Sequence, residues 1–338
     1  MRLAVAIPML SILVIACESN INTSIEGMIA PFLGPNLGGV AVAVVRSGEV
    51  VLQQGFGPAD REQDIPVTPD TVFDLASLSK QFTGMALLIL ERRGQLSMAD
   101  DARKYIPELP LFDALRPIRI VDLSRHRSGL PEFPRTDRIP TEAEILAWLS
   151  ERAELEFPTD TRWQYTNLNY FFLARIVERV SGRTFTDYLK QEIFAPAGMV
   201  SAQVLDRPDG EISNRSIGYC FGKPCRADDG LTGPSGVFAS LNDMVQWDRA
   251  LVAGMFVSFE QITNAVDGGY DLGWRMLRRG GHVVLEHDGD AIGTRTYFVR
   301  YLDVPVSIII LSNQTRLEVE KLEREIAARF IPREIDED

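Results

Sequence analysis

Phe73-Asp74-Leu75-Ala76-Ser77-Leu78-Ser79-Lys80-Gln81-Phe82-Thr83 places a serine and a lysine three residues apart, where a short turn enters an apolar helix. Residues at that spacing share one helix face, so an amine comes within reach of a hydroxyl. Serine is a poor nucleophile until a base takes its proton, and a partly desolvated lysine is one source of that base. The pattern arises often by chance, and a capping serine followed by a solvated lysine has the same letters. Two further stretches decide between the readings. Trp163-Gln164-Tyr165-Thr166-Asn167-Leu168-Asn169-Tyr170 sets a phenol and a carboxamide two residues apart on an extended segment before a helix, so both can point one way. A tyrosine near a lysine can relay a proton, and an asparagine can hydrogen-bond both lysine and substrate. His287-Asp288-Gly289-Asp290 is expected at the end of a strand, with glycine letting a substrate backbone approach.

In this order and at these distances, the three stretches resemble the serine β-lactamase-like hydrolases, whose pattern is S-x-x-K, then Y-x-N, then K/H-x-G on a strand. The family contains class C β-lactamases, D-Ala-D-Ala carboxypeptidases, D-aminopeptidases and esterases. The resemblance spans about Gly39 to Leu311 and includes less specific connectors: Leu123 to Leu130, Ile193 to Met199, Gly236 to Ser240, Tyr270 to Trp274, and Gly289 with Gly293. It implies that Ser77 is the nucleophile of an acyl-enzyme, Lys80 its general base, and Tyr165 a partner in that work and in deacylation. It also implies that Asn167 orients lysine and substrate, that His287 supports Tyr165 and the substrate, and that Gly289 lies in the substrate-binding motif. The backbone N–H groups of Ser77 and Asp290 would form the oxyanion hole. No cofactor is implied. His126, in the first connector, reads as structural.

The third motif departs from the Lys-Thr-Gly or Lys-Ser-Gly usual in β-lactamases. Histidine is mostly neutral at pH 7, and Asp288 adds a negative charge, so recognition of a substrate carboxylate is weakened. Poor cephalosporinase activity follows, and esters, amides or peptides without a nearby carboxylate fit better. Arg295 is the candidate to replace the lost cation. A D-Ala-D-Ala carboxypeptidase or β-lactamase stands as the alternative enzyme, and a catalytically weak binding or scaffold protein as the alternative of another class.

The remaining sequence sets the architecture. Gly39 to Arg46 and Glu49 to Gly55 are apolar, β-branched runs around Ser-Gly. Leu272 to Arg278 and His282 to His287 flank Arg279-Gly280-Gly281, and Thr294 to Leu302 and Pro305 to Ser312 form a further pair. Helical periodicity runs from Ser77 to about Arg93 and over Glu142–Arg152, Asn169–Ser181, Phe185–Phe194, Asn242–Val252 and Glu318–Phe330. Strands at both ends with helices between predict an α+β fold: one antiparallel sheet built from the N- and C-terminal segments, flanked by helices, with a mostly helical middle. The expected organisation is a signal over 1–16, a tether and helix over 17–36, and one domain over 37–335 whose helical part spans about 99–250.

Arg2 and the apolar run Leu3 to Ile15 form an export signal too short for a membrane span. Its end, Leu13-Val14-Ile15-Ala16-Cys17, resembles a bacterial lipoprotein signal. That resemblance implies cleavage before Cys17 and a lipid anchor on it; an ordinary secretory signal with an incidental cysteine is the alternative. Glu18, rather than aspartate, points to outer-membrane sorting in a two-membrane bacterium. Outside the cytosol, Cys220 and Cys225 read as a small disulfide loop, with two free thiols as the alternative. Forty-seven acidic against 35 basic residues give a net charge of −12 with no basic stripe, which disfavours nucleic acid. Three histidines and no H-E-x-x-H leave a zinc site unsupported. No G-x-S-x-G elbow is present, so a Ser-His-Asp triad of that kind is a poor reading. The partner expected is a small-molecule or peptide ester or amide, and no protein partner is implied.

Overall fold

A computed structural model describes residues 25–331, apart from 135–137, 139, 153, 207–209, 227–230 and 267–268. The expected signal, Cys17 and the start of the tether lie outside the described residues, as do 332–335. Among the described residues, no helix is long and apolar enough to cross a membrane.

The two ends of the chain meet in one sheet. Strands β1 (Val40–Arg46), β2 (Glu49–Phe56), β3 (Tyr270–Asp271), β4 (Trp274–Arg279), β5 (His282–Ala291), β6 (Thr294–Tyr301) and β7 (Val306–Ser312) form a seven-stranded sheet in the order β3-β4-β5-β6-β7-β1-β2. Every neighbouring pair is antiparallel. β1, from the N-terminal segment, lies beside β7, from the C-terminal one, with Ala43 opposite Ile309. The β4–β5 turn is Gly280-Gly281, both at positive φ, the two-residue turn whose twist suits antiparallel strands.

Side chains alternate between the sheet faces. Ala41, Ala43, Leu285, Phe298, Ile309 and Leu311 face a helical layer containing α1 (Ser79–Arg92), α3 (Asn167–Ser181) and α4 (Leu241–Val252). Val40, Val42, Val44, Val299, Ile308 and Ile310 face α5 (Val319–Phe330) and the helix at residues 25–29. Covering both faces explains why β1 and β7 read as unbroken apolar runs rather than alternating ones. Beneath α5, Arg279 spans two buried carboxylates, Glu286 at 2.6 Å and Glu323 at 2.7 Å.

Two expectations shift. β5 does not end at His287 but runs to Ala291, so the third motif lies inside a strand. β4 pairs with β5 only as far as Glu286, whereas β6 pairs with it to Ala291, and the motif therefore borders an edge that β4 leaves open. Helices joined by long loops make up the middle of the chain, including α2 (Glu142–Ser150), and the Phe185 helix continues through a wide turn at Lys190–Phe194. A small three-stranded sheet of Val72–Asp74, Val237–Ser240 and Gln203–Val204 joins this middle part to the segment before Ser77. Strands of two to four residues are too short to leave a periodic signal.

Candidate active site

Ser77 lies not in α1 but in the 3-10 turn Ala76–Leu78 that leads into it. Ala76 adopts φ +48, sparsely populated for a residue with a Cβ, so surrounding contacts must hold the turn. They do so from several sides. Thr294 and Thr296 of β6 donate from their hydroxyls to the carbonyls of Asp74 (3.0 Å) and Leu75 (2.9 Å). Leu75 N–H donates to Val237 (3.0 Å), and Ala76 N–H to the Asp74 carboxylate (2.8 Å). Gly289 lies against the same turn: a Cβ there would stand 2.4 Å from the Leu75 carbonyl oxygen. The backbone that Gly289 admits is thus that of the Ser77 turn, where the sequence suggested a substrate.

The serine and the lysine meet as their spacing predicts. Lys80 Nζ donates to Ser77 Oγ (3.0 Å), to Asn167 Oδ1 (3.0 Å) and to the Pro234 carbonyl (2.9 Å). Three acceptors match the three protons of an ammonium. Lys80 is nevertheless fully buried, under the rings of Tyr165 and Tyr170, with Nζ 4.8 Å and 5.7 Å from their centroids. Burial lowers its pKa from 10.5 to about 7, with Glu132 opposing the shift and Arg275 adding to it. Tyr165 donates its hydroxyl to the same Ser77 Oγ at 2.9 Å. Burial raises that phenol to about 12, so it stays protonated at neutral pH. Ser77 itself is partly accessible. Ser79, the other serine of the motif, is buried and accepts from Val237 N–H (3.1 Å), so it lies in the packing rather than in the site.

The third motif is held by partners that lie outside it. His287 is buried on β5 with both ring nitrogens engaged: Nδ1 with the Asp288 carbonyl (2.6 Å) and Nε2 with Tyr270 Oη (2.9 Å). The carbonyl only accepts, so Nδ1 carries the proton and Nε2 accepts from the phenol. Burial and the charge of Arg275 push the imidazole well below its ordinary pKa. His287 therefore supports Tyr165 by packing, ring centroids 6.4 Å apart. The negative charge expected at Asp288 is offset by Arg275 of β4, its ion-pair partner. Arg295, the candidate substitute cation, is ion-paired with Asp290. Asp290 is exposed in the part of β5 that β4 leaves unpaired. His126, expected to be structural, lies under Tyr165 with centroids 4.4 Å apart, and its Nδ1 accepts from Asn169 Nδ2 (3.0 Å). Asn167 is the first residue of α3, and Thr166 is its cap.

The connector stretches join these parts. Ser124 and Arg125 both bond the buried Asp271 carboxylate (2.5 and 2.7 Å), which ties Leu123–Leu130 to Tyr270–Trp274. Gly273 packs directly on α1, where a Cβ would lie 2.4 Å from the Lys80 carbonyl carbon.

The match to a family model described as Beta-lactamase covers residues 25–331. The chain belongs to the beta-lactamase family. Its members with similar sequences include penicillin-binding protein 4* of Bacillus subtilis (strain 168), 28% identical over 310 residues, 81% of this chain and 67% of that protein. A D-aminopeptidase of Brucella anthropi is 32% identical over 307 residues, 83% of this chain and 56% of the relative, so the chain spans little more than half of that protein's length. Among solved structures, the octameric penicillin-binding protein homologue from Pyrococcus abyssi has a TM-score of 0.81 at 22% identity, over 92% of this chain and 77% of that one. The D-amino acid amidase of Ochrobactrum anthropi SV3 has a TM-score of 0.79 at 21% identity, over 92% and 99%. Those likenesses extend to the fold, including the large antiparallel sheet with its helices.

Two polar groups of this beta-lactamase-family site escaped the sequence reading. Pro234 supplies a carbonyl from 154 residues away, which no side-chain motif can signal. Glu132, on the loop before α2, bonds both the backbone N–H (2.7 Å) and the side-chain amide (2.9 Å) of Asn167. The only available hint was an acid two residues beyond the Leu123–Leu130 connector. Cys220 and Cys225 are bonded, as expected, with Cα atoms 5.7 Å apart.

Proposed function

We propose that this protein is an exported, lipid-anchored serine hydrolase that cleaves amide or peptide bonds through an acyl-enzyme on Ser77. The observation that carries this reading is the meeting of a fully buried amine and a phenol on one serine oxygen, at 3.0 and 2.9 Å. With a pKa of about 7, Lys80 is about half neutral at neutral pH and can take the Ser77 proton as Oγ attacks the carbonyl carbon. The carbonyl oxygen gains the negative charge and is received by the N–H groups of Ser77 and Asp290. Collapse of the adduct expels the amine, which takes its proton from Lys80 with Tyr165 as relay. Water, deprotonated by the same pair, then attacks the ester and releases Ser77.

The substrate class follows from charge. The third-motif position holds a neutral buried histidine, and the nearby guanidinium groups, Arg275 and Arg295, are already ion-paired. A substrate carboxylate therefore meets a poor receptor, which disfavours β-lactams and C-terminal D-Ala-D-Ala. Amino-acid amides and short peptides cleaved at the amino end fit better, in keeping with the D-aminopeptidase among the relatives. Esters serve as activated surrogates.

The test is fluorophosphonate labelling of mature protein and of Ser77→Ala, followed by a panel of a D-amino-acid p-nitroanilide, a p-nitrophenyl ester and nitrocefin. Wild type is expected to label, Ser77→Ala to stay unlabelled, and the anilide and ester to be turned over well ahead of nitrocefin. A folded wild type that stays unlabelled overturns the enzyme reading in favour of a binding protein. Nitrocefin as the best substrate overturns the substrate class.

A further inference from the structure

Glu132 lies outside all three motifs, yet its carboxylate grips Asn167 with both oxygens. Asn167 N–H is one of the unpaired donors at the start of α3, where a negative charge is also favoured by the helix field. Thr166 Oγ1 serves the next donor, Leu168 N–H, at 3.3 Å. The second bond, from Asn167 Nδ2, has a chemical consequence. An asparagine amide has two nearly isosteric orientations. The observed one gives Nδ2 to Glu132 and Oδ1 to Lys80 Nζ. The reverse would set oxygen against carboxylate and N–H against N–H. Glu132 thus selects the orientation in which Asn167 holds the lysine.

The same carboxylate acts on charge. The groups facing Lys80 are Arg275 from β4, His126 from the first connector, His287 from β5, the phenols of Tyr165 and Tyr170, and Glu132. Both imidazoles are held neutral by burial, and both phenols are held protonated. Arg275 opposes an ammonium at Lys80, and Glu132 favours one.

We propose that Glu132 is a positioning residue that locks Asn167 onto Lys80 and holds the lysine charge in balance, so that Ser77 is activated near neutral pH. The proposal rests on the Ser77–Lys80 reading above and adds an anionic group that none of the three motifs contains.

The experiment measures the pH dependence of fluorophosphonate labelling for full-length mature wild type, Glu132→Gln and Glu132→Asp. Labelling endpoints give the active fraction, and urea unfolding gives stability. Glutamine removes the charge and, in either amide orientation, presents an N–H to one of the two Asn167 donors that need an acceptor. The expected result is a lower plateau rate, by about tenfold or more, with the rising limb displaced to lower pH because the ammonium has lost its counter-charge. Aspartate keeps the charge on a shorter arm and is expected to lower the plateau while leaving the limb in place. A Glu132→Gln limb that coincides with wild type overturns the proposal, even if stability or the active fraction falls, since that is what a simple helix cap would give. A Glu132→Asp limb displaced as far as that of Glu132→Gln also overturns it. The underlying reading fails separately, if wild type itself shows no Ser77-dependent labelling or no limb near neutrality.

Discussion

Replacing Lys80 with methionine separates the two candidate bases. Lys80 titrates at about 7 and Tyr165 at about 12, so at pH 7 a phenolate at Tyr165 costs about 7 kcal/mol while a neutral amine at Lys80 costs almost nothing. These values favour Lys80 as the proposed base, with Tyr165 a protonated donor to Ser77 Oγ that can relay its proton. Lys80→Met fills the same buried space without the amine, so the fold is expected to hold or gain stability. It removes the base, and kcat/KM on a p-nitrophenyl ester should fall by about a thousandfold. Tyr165→Phe removes one hydrogen bond and should cost about tenfold. In wild type, kcat/KM should rise about tenfold between pH 6 and pH 8 as the neutral fraction of Lys80 grows. That limb should vanish in Lys80→Met. The assay is steady-state hydrolysis from pH 5.5 to 9, with urea unfolding of each variant. A Tyr165→Phe loss as large as that of Lys80→Met, or a limb that survives without the lysine, would refute the assignment.

Other perturbations test how the site is held. Gly289→Ala drives a Cβ into the Leu75 carbonyl, which should cost about 1–3 kcal/mol in urea unfolding and slow Ser77 labelling; an unchanged labelling rate would contradict the packing described. Arg279→Ala leaves Glu286 and Glu323 facing each other beneath α5, and should destabilise by about 3–5 kcal/mol while ester turnover per folded molecule is kept. His126 and His287 are both held neutral well below their ordinary pKa. Below about pH 6.5 the unfolded chain therefore binds more protons than the fold, and stability declines with falling pH. His287→Asn should make that decline shallower, as read from urea midpoints across pH 5 to 7, and an unaltered slope would show that His287 is not one of the groups responsible.

Much of the architecture was legible because its signals are local. The runs around Ser47-Gly48 and Gly280-Gly281 announce hairpins through apolar, β-branched composition and turn chemistry, and the structure pairs them as read. Ser77 and Lys80 meet because i and i+3 must meet at the start of a helix. The end of β5 was misjudged because Asp288-Gly289-Asp290 has turn composition, while β6 supplies pairing through Ala291 that composition does not reveal. The partners of His287 were hidden for a related reason: a histidine beside a glycine carries no sign that Tyr270 and the Asp288 carbonyl will engage both of its nitrogens.

By itself, then, the sequence determined the chemical inventory: which serine has an amine at helical spacing, which phenol and amide are available, and which strands could form the sheet. Tertiary structure decided how that inventory is charged and aimed. The Lys80 amine is brought to about 7 because the rings of Tyr165 and Tyr170 close over it. Asn167 points at it because Glu132, 35 residues earlier, holds the other side of the amide. Burial and hydrogen-bond partners belong to space rather than to the chain, and the energies that set a proton's position depend on both.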